Sequence, residues 1–375
     1  MSFATILASI DNKLRPLLSP LPSSVYAALY SYTRPWFSNL SANDTSFDSI
    51  PIPSELTKKL WGIQFRSPIG NAAGMYKYAE GYERAYKQGA GFYLAGTTTS
   101  LPRKGNKKAG IKHPFMPYPH SHAASNWMGL PNLGHHAIAK KIKSFHRYES
   151  FPIGASVSAD PGMDFSSALQ GLIDGMKMYA DAGCNFLELN ESCPNVEHHA
   201  VNNDILDKEL LNRLDAIHNN FIKQSRSIPV IVKLSNDTAL HQVPAILAAL
   251  IERGFAGVNF GNTSTQYAVI RKNIDPKDYA NYDYFTSEFG GGLSGSVVRN
   301  SSVELCEYAY ESMCDLKNEN EFHIISTGGI ETGVDVWNSE KAGASLMQWY
   351  TGYFEQYGIS GNNIYADLYK EIMKL

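Results

Sequence analysis

The sequence predicts an α/β protein, a (β/α)8 TIM barrel preceded by a small helical extension. Three observations predict it. From about residue 60, short apolar runs alternate with segments of helical period, the pattern of strand–helix units wound around a parallel sheet. Eight such runs can be marked, the number that closes a barrel. At 375 residues the chain is long enough for a barrel and an appendage, and the division expected is 1–45 for the helical extension and 46–375 for the barrel.

Taken in order, the first segment, "ATILASIDNKLRPLLSPLPSSVYAALYSYTRPWF", is rich in Leu, Ala and Tyr and is cut by Pro16, Pro20, Pro22 and Pro35. Those prolines permit two short helices and forbid one long one. The second helix would open on Ser23 or Ser24 as N-cap and put Val25, Leu29 and Tyr32 on one face, which either packs on the barrel or meets lipid or a partner. The strands expected are 67–71, 91–96, 151–157, 184–190, 228–234, 256–261, 323–327 and 345–349. Between them lie helices such as "DFSSALQGLIDGMKMYADAG", capped by Asp164 and ended by Gly183. Two connections, 97–147 and 262–300, are long enough to be lids or insertions, and the first carries an exposed basic stretch, "RKGNKKAGIKH".

Composition narrows the function. A net charge of -3 lacks the positive surplus that phosphate neutralisation demands, so nucleic acid is not an expected partner. Cys184, Cys193, Cys306 and Cys314 show neither CxxC spacing nor interleaved histidines, which points to free thiols in a reducing compartment and to no metal centre. No run approaches the roughly 18 apolar residues that cross a bilayer. Asp11, Lys13 and Arg15 interrupt the start of the chain where a signal peptide needs an unbroken apolar core. The expectation is a cytoplasmic protein, at most peripheral on the inner face of a membrane.

In such a barrel the carboxyl ends of all strands share one face, and chemistry collects there. Here those ends run into "NAAGMYK", "GTTT", "NESCPN", "VKLSND", "GNTST", "STGGI" and "WYTG". Gly328 and Gly329 after the seventh strand, and Thr351 with Gly352 after the eighth, suit a phosphate held by backbone amides at a helix start, although tight turns also use glycine. Lys233 ends the apolar run "IPVIVK" and Lys77 follows the first strand; each is either a snorkelling end residue or a fixed positive charge awaiting an anion. Asn126, Asn190, Asn195 and Asn262 fall around the same mouth. Amides that donate and accept suit a flat ligand with alternating carbonyl and NH groups, while any one of them alone reads as a turn residue. Cys193 lies past its strand and before Pro194, where it could be a nucleophile or a proton acceptor; His198 and His199 are too close in sequence to establish an orienting histidine.

Together, "NESCPNV", "SNWMGLPN", "VKL", "GNTST", "GGLSG", "STGGI" and "GASLMQWYTG" resemble the dihydroorotate dehydrogenase family over about residues 55–355. The resemblance implies FMN at the barrel mouth and oxidation of dihydroorotate to orotate in pyrimidine synthesis. Cys193 would take the C5 proton while a hydride leaves C6 for the flavin, with Lys233 as the second catalytic residue. By the same resemblance Lys77, Asn126, Met128, Gly129, Leu130, Asn190, Asn195, Asn262 and Thr263 would hold the substrate. Ala72, Ala73, Gly74, Lys77, Thr97, Ser156, Asn190, Lys233, Ser294, Gly295, Gly328, Gly329, Tyr350 and Thr351 would surround the flavin. "SCPNV" and "MGLPN" look like the soluble class that uses cysteine. "NAAGMYK", "GTTT", "YTG" and the apolar extension look like the membrane-associated class that reduces quinone. A quinone admitted beneath residues 4–36 is therefore the expected oxidant, with fumarate or another soluble acceptor, or another cyclic amide as substrate, as alternatives. Glu191 and Ser156 depart from the family pattern, which usually has an aliphatic residue and, in the quinone class, an asparagine there.

Overall fold

A computed structural model describes residues 2–191, 206–224, 228–314, 316 and 320–375. Eight parallel strands form its centre: β1 (Ile69–Asn71), β2 (Tyr93–Thr98), β3 (Ile153–Val157), β4 (Phe186–Asn190), β5 (Val230–Leu234), β6 (Gly257–Phe260), β7 (His323–Thr327) and β8 (Ala344–Trp349). They are hydrogen-bonded in the order β1-β8-β7-β6-β5-β4-β3-β2. The seam between β1 and β2 closes partly through a side chain. Asn71 Nδ2 donates to Leu94 O at 2.7 Å and Asn71 Oδ1 accepts from Leu94 N at 3.1 Å, while Gly91 N reaches Ile69 O at 2.8 Å. The amide of Asn71 thus does the work of a missing peptide group. Every residue of β2 and of β5 is buried, as expected of strands with helices outside and packed side chains inside.

The amino-terminal end of the barrel is plugged by a hairpin, Lys58–Leu60 paired with Ile63–Phe65. Leu60 and Phe65 join Phe92, Leu94, Phe186, Ile231, Ile325 and Leu346 in one apolar cluster. That cluster shuts one mouth and leaves the other for chemistry.

The extension is a helical hairpin, α1 (Phe3–Leu18) and α2 (Ser23–Ala42), of 16 and 20 residues. Pro20 and Pro22 lie between the helices, but Pro16 and Pro35 sit inside them, contrary to the expected breaks. Packing outweighs the lost hydrogen bonds. α1 lies so close to α5 (Thr351–Ser360) that a Cβ at Gly358 would come within 2.6 Å of Asn12 Cβ. Neither Ser23 nor Ser24 caps α2; Pro22 takes that place without a side-chain bond. Tyr26, Ala27 and Tyr30 form the buried face of α2, so Val25, Leu29 and Tyr32 are exposed. Among the barrel helices, α3 (Phe165–Asp181) is capped by Asp164, whose carboxylate accepts from Ser167 N at 3.0 Å, and the chain turns at Gly183 with φ 82°.

The two long connections are structured and meet each other. The first supplies strands Phe115–Tyr118 and Ala123–Asn126, the second supplies Gly292–Gly295, and the three form an antiparallel sheet with 123–126 in the middle. α2 rests on this sheet: Ser31 Oγ donates to Phe115 O at 3.2 Å and accepts from Phe115 N at 2.9 Å.

Candidate active site

A cavity occupies the carboxyl end of the barrel, between the strand ends and the antiparallel sheet. Beneath it, strand alternation turns five polar residues inward, one from each of β4 to β8. Lys233 Nζ donates to Gln348 Oε1 at 3.0 Å, and the same oxygen accepts from Thr327 Oγ1 at 3.1 Å and Asn259 Nδ2 at 3.2 Å. Gln348 Nε2 in turn donates to Glu188 Oε2 at 2.7 Å. All of these groups are buried, and burial pulls the Lys233 ammonium below its ordinary pKa against the opposing charge of Glu188.

One wall carries a relay of small polar groups from neighbouring strands. Asn262 Nδ2 donates to Asn190 Oδ1 at 3.0 Å, Asn190 Nδ2 donates to Thr97 Oγ1 at 3.1 Å, and Thr97 and Ser156 share a hydroxyl bond of 2.9 Å. Each amide is therefore held in one orientation, which a flat ligand with a fixed donor–acceptor pattern requires. Asn126 faces them from the antiparallel sheet, its Nδ2 donating to Gly292 O at 3.4 Å. Lys77 Nζ donates to Gly74 O, which holds a second, half-buried ammonium at the rim.

The opposite end is built from backbone. Gly295, Gly328 and Gly329 have φ of 96°, 137° and 74°, and α5 starts at the cavity with Thr351, whose hydroxyl shares a 2.9 Å bond with Ser294. A Cβ at Gly352 would lie 2.0 Å from Ile330 O, so the first turn of α5 approaches the strand-seven loop as only glycine allows. Amides at a helix start beside a glycine turn are suited to a phosphate.

Of the residues expected at the site, Ala72, Ala73, Gly74, Lys77, Thr97, Asn126, Met128, Leu130, Asn190, Lys233, Asn262, Thr263, Ser294, Gly295, Gly328, Gly329, Tyr350 and Thr351 line this cavity. Two do not. Gly129 turns away at φ 69° against Asn106, and Ser156 lies behind Thr97. Cys193 and Asn195 fall outside the described residues. Cys184 and Cys306 are buried and pushed up to about 12 by burial, which removes both as proton acceptors near neutrality. Glu191 does not line the cavity. Its carboxylate is gripped by Arg213 of α4 (Lys208–Ile217) through Nε at 3.0 Å and 3.1 Å and Nη2 at 2.8 Å, which turns this side chain away from the cavity. Gln348, Thr327 and Phe115 were not expected, and Gln348 left a trace in the sequence as a polar residue inside the apolar run "SLMQW".

A second cavity opens between the helical hairpin and the barrel. Its walls are mostly apolar, with Leu7, Leu14, Leu18, Leu29, Phe37 and Phe354, and it shares Phe115, Tyr350 and Thr351 with the first. At the junction Arg34 of α2 donates to the Tyr350 hydroxyl and lies 5.1 Å from the centre of the Phe115 ring. Deeper along α1, Arg15 pairs through Nη1 with Glu355 Oε1 of α5 at 2.5 Å and through Nη2 and Nε with Asp11.

Residues 55–373 match the family model described as dihydroorotate dehydrogenase. The chain belongs to the dihydroorotate dehydrogenase family. Among its curated relatives, the dihydroorotate dehydrogenase (quinone) of Trichodesmium erythraeum is 28% identical over 305 residues, 80% of this chain and 75% of the relative. That of Mycobacterium ulcerans is 27% identical over 328 residues, 86% of this chain and 81% of the relative. Among solved structures, DHODH of Eimeria tenella in complex with ferulenol has a TM-score of 0.73 at 21% identity, covering 92% of this chain and 90% of that one, which shows the same barrel.

Proposed function

We propose that this member of the family is a dihydroorotate dehydrogenase that holds FMN in the first cavity and passes its electrons to a quinone in the second. The observation that carries this reading is the meeting of the two cavities at Phe115, Tyr350 and Thr351: a polar chamber fit for a flat amide opens on an apolar passage fit for a prenylated ring. The groups around the first cavity fit FMN. Gly295, Gly328, Gly329 and the start of α5 would take the phosphate, Ala72, Ala73 and Gly74 would pass close to the ring, and the buried Lys233 would face its electron-rich edge. Bound there, FMN supplies the hydride acceptor.

The protein's own part is to orient and to move a proton. Asn126, Asn190 and Asn262 would fix the substrate's amides and carboxylate, and Cys193, in the position of the family's base, would take the proton from C5. The quinone reading also draws on the relatives' printed names. Phe3, Ile6, Ile10, Leu14 and Leu17 of α1 and Val25, Leu29, Tyr32 and Trp36 of α2 are exposed, a surface suited to the acyl boundary of a membrane from which quinone could enter. The basic stretch forms a short β-hairpin, Lys107–Lys108 paired with Ile111–Lys112, that lies beside it, with Tyr32 OH donating to Gly110 O at 2.9 Å. Among the described residues no helix is long and apolar enough to cross a membrane.

The purified protein should be yellow, and dihydroorotate, but not dihydrouracil, should bleach it. Removing residues 2–42 should abolish quinone reduction and spare a soluble dye acceptor. Bleaching by dihydrouracil instead, or equal loss with both acceptors, would contradict the substrate and the acceptor respectively.

A further inference from the structure

We propose that Glu188 is a positioning residue that, from beneath the cavity floor, keeps Lys233 charged and aimed upward. Glu188 is on β4, two residues before Asn190, faces the barrel interior and is fully buried. Its Oε2 accepts from Gln348 Nε2 at 2.7 Å and from Asn259 Nδ2 at 3.1 Å. That arrangement dictates which way the Gln348 amide points. With its nitrogen on the carboxylate, its oxygen must face Lys233, Thr327 and Asn259, all of which donate to it. Turned over, the amide would set oxygen against carboxylate and NH2 against ammonium, two repulsions in a dry interior.

The other oxygen, Glu188 Oε1, makes no hydrogen bond and faces the Lys233 ammonium at 3.8 Å. Lys233 is 3% exposed, a depth at which an isolated ammonium gives up its proton. Among the described residues Glu188 is the charged group that opposes this, while β6, β7 and β8 present only the neutral Asn259, Thr327 and Gln348. Lys77, the other cationic residue lining the cavity, is held at the rim by Gly74 O. Glu188 does not reach the cavity and so acts through Lys233. A carboxylate under a site for an electron-accepting ring would by itself make reduction harder; here its effect is to hold a nearer positive charge in place.

The inference rests on the flavin reading, and the two fail differently. The measurement is the midpoint potential of the bound flavin, by equilibration with a reference dye at about pH 8. A bare negative charge and a charge-keeper predict opposite signs. Glu188→Gln should lower the potential by at least the equivalent of a tenfold change in the two-electron equilibrium, about 30 mV. Lys233→Met should lower it at least as far, since the carboxylate stays behind, and the double variant should match Glu188→Gln, because neither of those two keeps the ammonium's charge or the carboxylate's. A potential that rises or stays put in Glu188→Gln overturns the proposal. A second measurement does not depend on that variant folding: the gap between wild type and Lys233→Met should hold from about pH 6 to about pH 9, and a gap that closes means Lys233 loses its proton despite Glu188. A colourless protein that takes up no FMN contradicts the flavin reading itself; a yellow one with an unmoved potential contradicts only the role of Glu188.

Discussion

Single residues set the chemistry of this site through what they leave out as much as through what they bring. Gly352 has its Cβ direction filled by Ile330 O at 2.0 Å, and Gly295 has His122 O at 2.3 Å, so both turns at this end of the cavity exist only because a side chain is missing. Gly352→Ala should cost about 1–3 kcal/mol and loosen the flavin, read as a lower melting temperature together with FMN lost on gel filtration. Cys193→Ala should keep the flavin and slow its reduction by dihydroorotate by roughly 10²–10⁴, read by stopped-flow absorbance; near-normal reduction would remove Cys193 from the reaction. Cys184 and Cys306 cannot take over, since burial holds both thiols protonated. At this scale the strand-end residues were legible because position after an apolar run is written in the sequence. Glu188 and Gln348 were not. A polar residue inside a strand reads as an interruption until the barrel shows that residues from five strands point at one another.

Elements show where local rules yield to packing. Pro16 and Pro35 promised breaks, yet α1 and α2 run through them, because each helix is held along its length by a surface that a proline count does not include. α1 is fastened to α5 by a buried ion pair, Arg15 with Glu355 at 2.5 Å, extended by Asp11 and by Tyr30 OH donating to Asp11 at 2.8 Å. Such a pair fixes register more than it adds stability, since desolvation offsets much of the attraction. Glu355→Leu alone should destabilise by about 1–3 kcal/mol, since Arg15 loses one buried partner and keeps Asp11, whereas Arg15→Met with Glu355→Leu should recover part of that loss. A double-mutant cycle in urea measures it, and equal destabilisation by single and double variants would show that the pair is not coupled. The exposed stripe on α1 and α2 follows a helical period and could be read in advance. Which face it would be was decided by the contact of Ser31 with Phe115.

The whole molecule joins parts that are far apart in the chain. The cover of the first cavity is assembled from 115–126 and 292–295, and the passage beside it from α1, α2 and α5, so a ligand held there touches segments more than two hundred residues apart. The barrel itself closes through Asn71, an ordinary polar residue in the sequence whose amide completes the β1–β2 seam. By itself the sequence determined the alternation of strands and helices, and with it the fold, the shared mouth and the set of residues at the strand ends, because period and apolar run length are local properties that survive in one dimension. Only the tertiary structure decided that two cavities meet at Tyr350, that Glu191 turns to Arg213 and away from the site, and that Lys233 has a carboxylate beneath it. Those facts depend on distances between strands and helices, which no stretch of sequence contains.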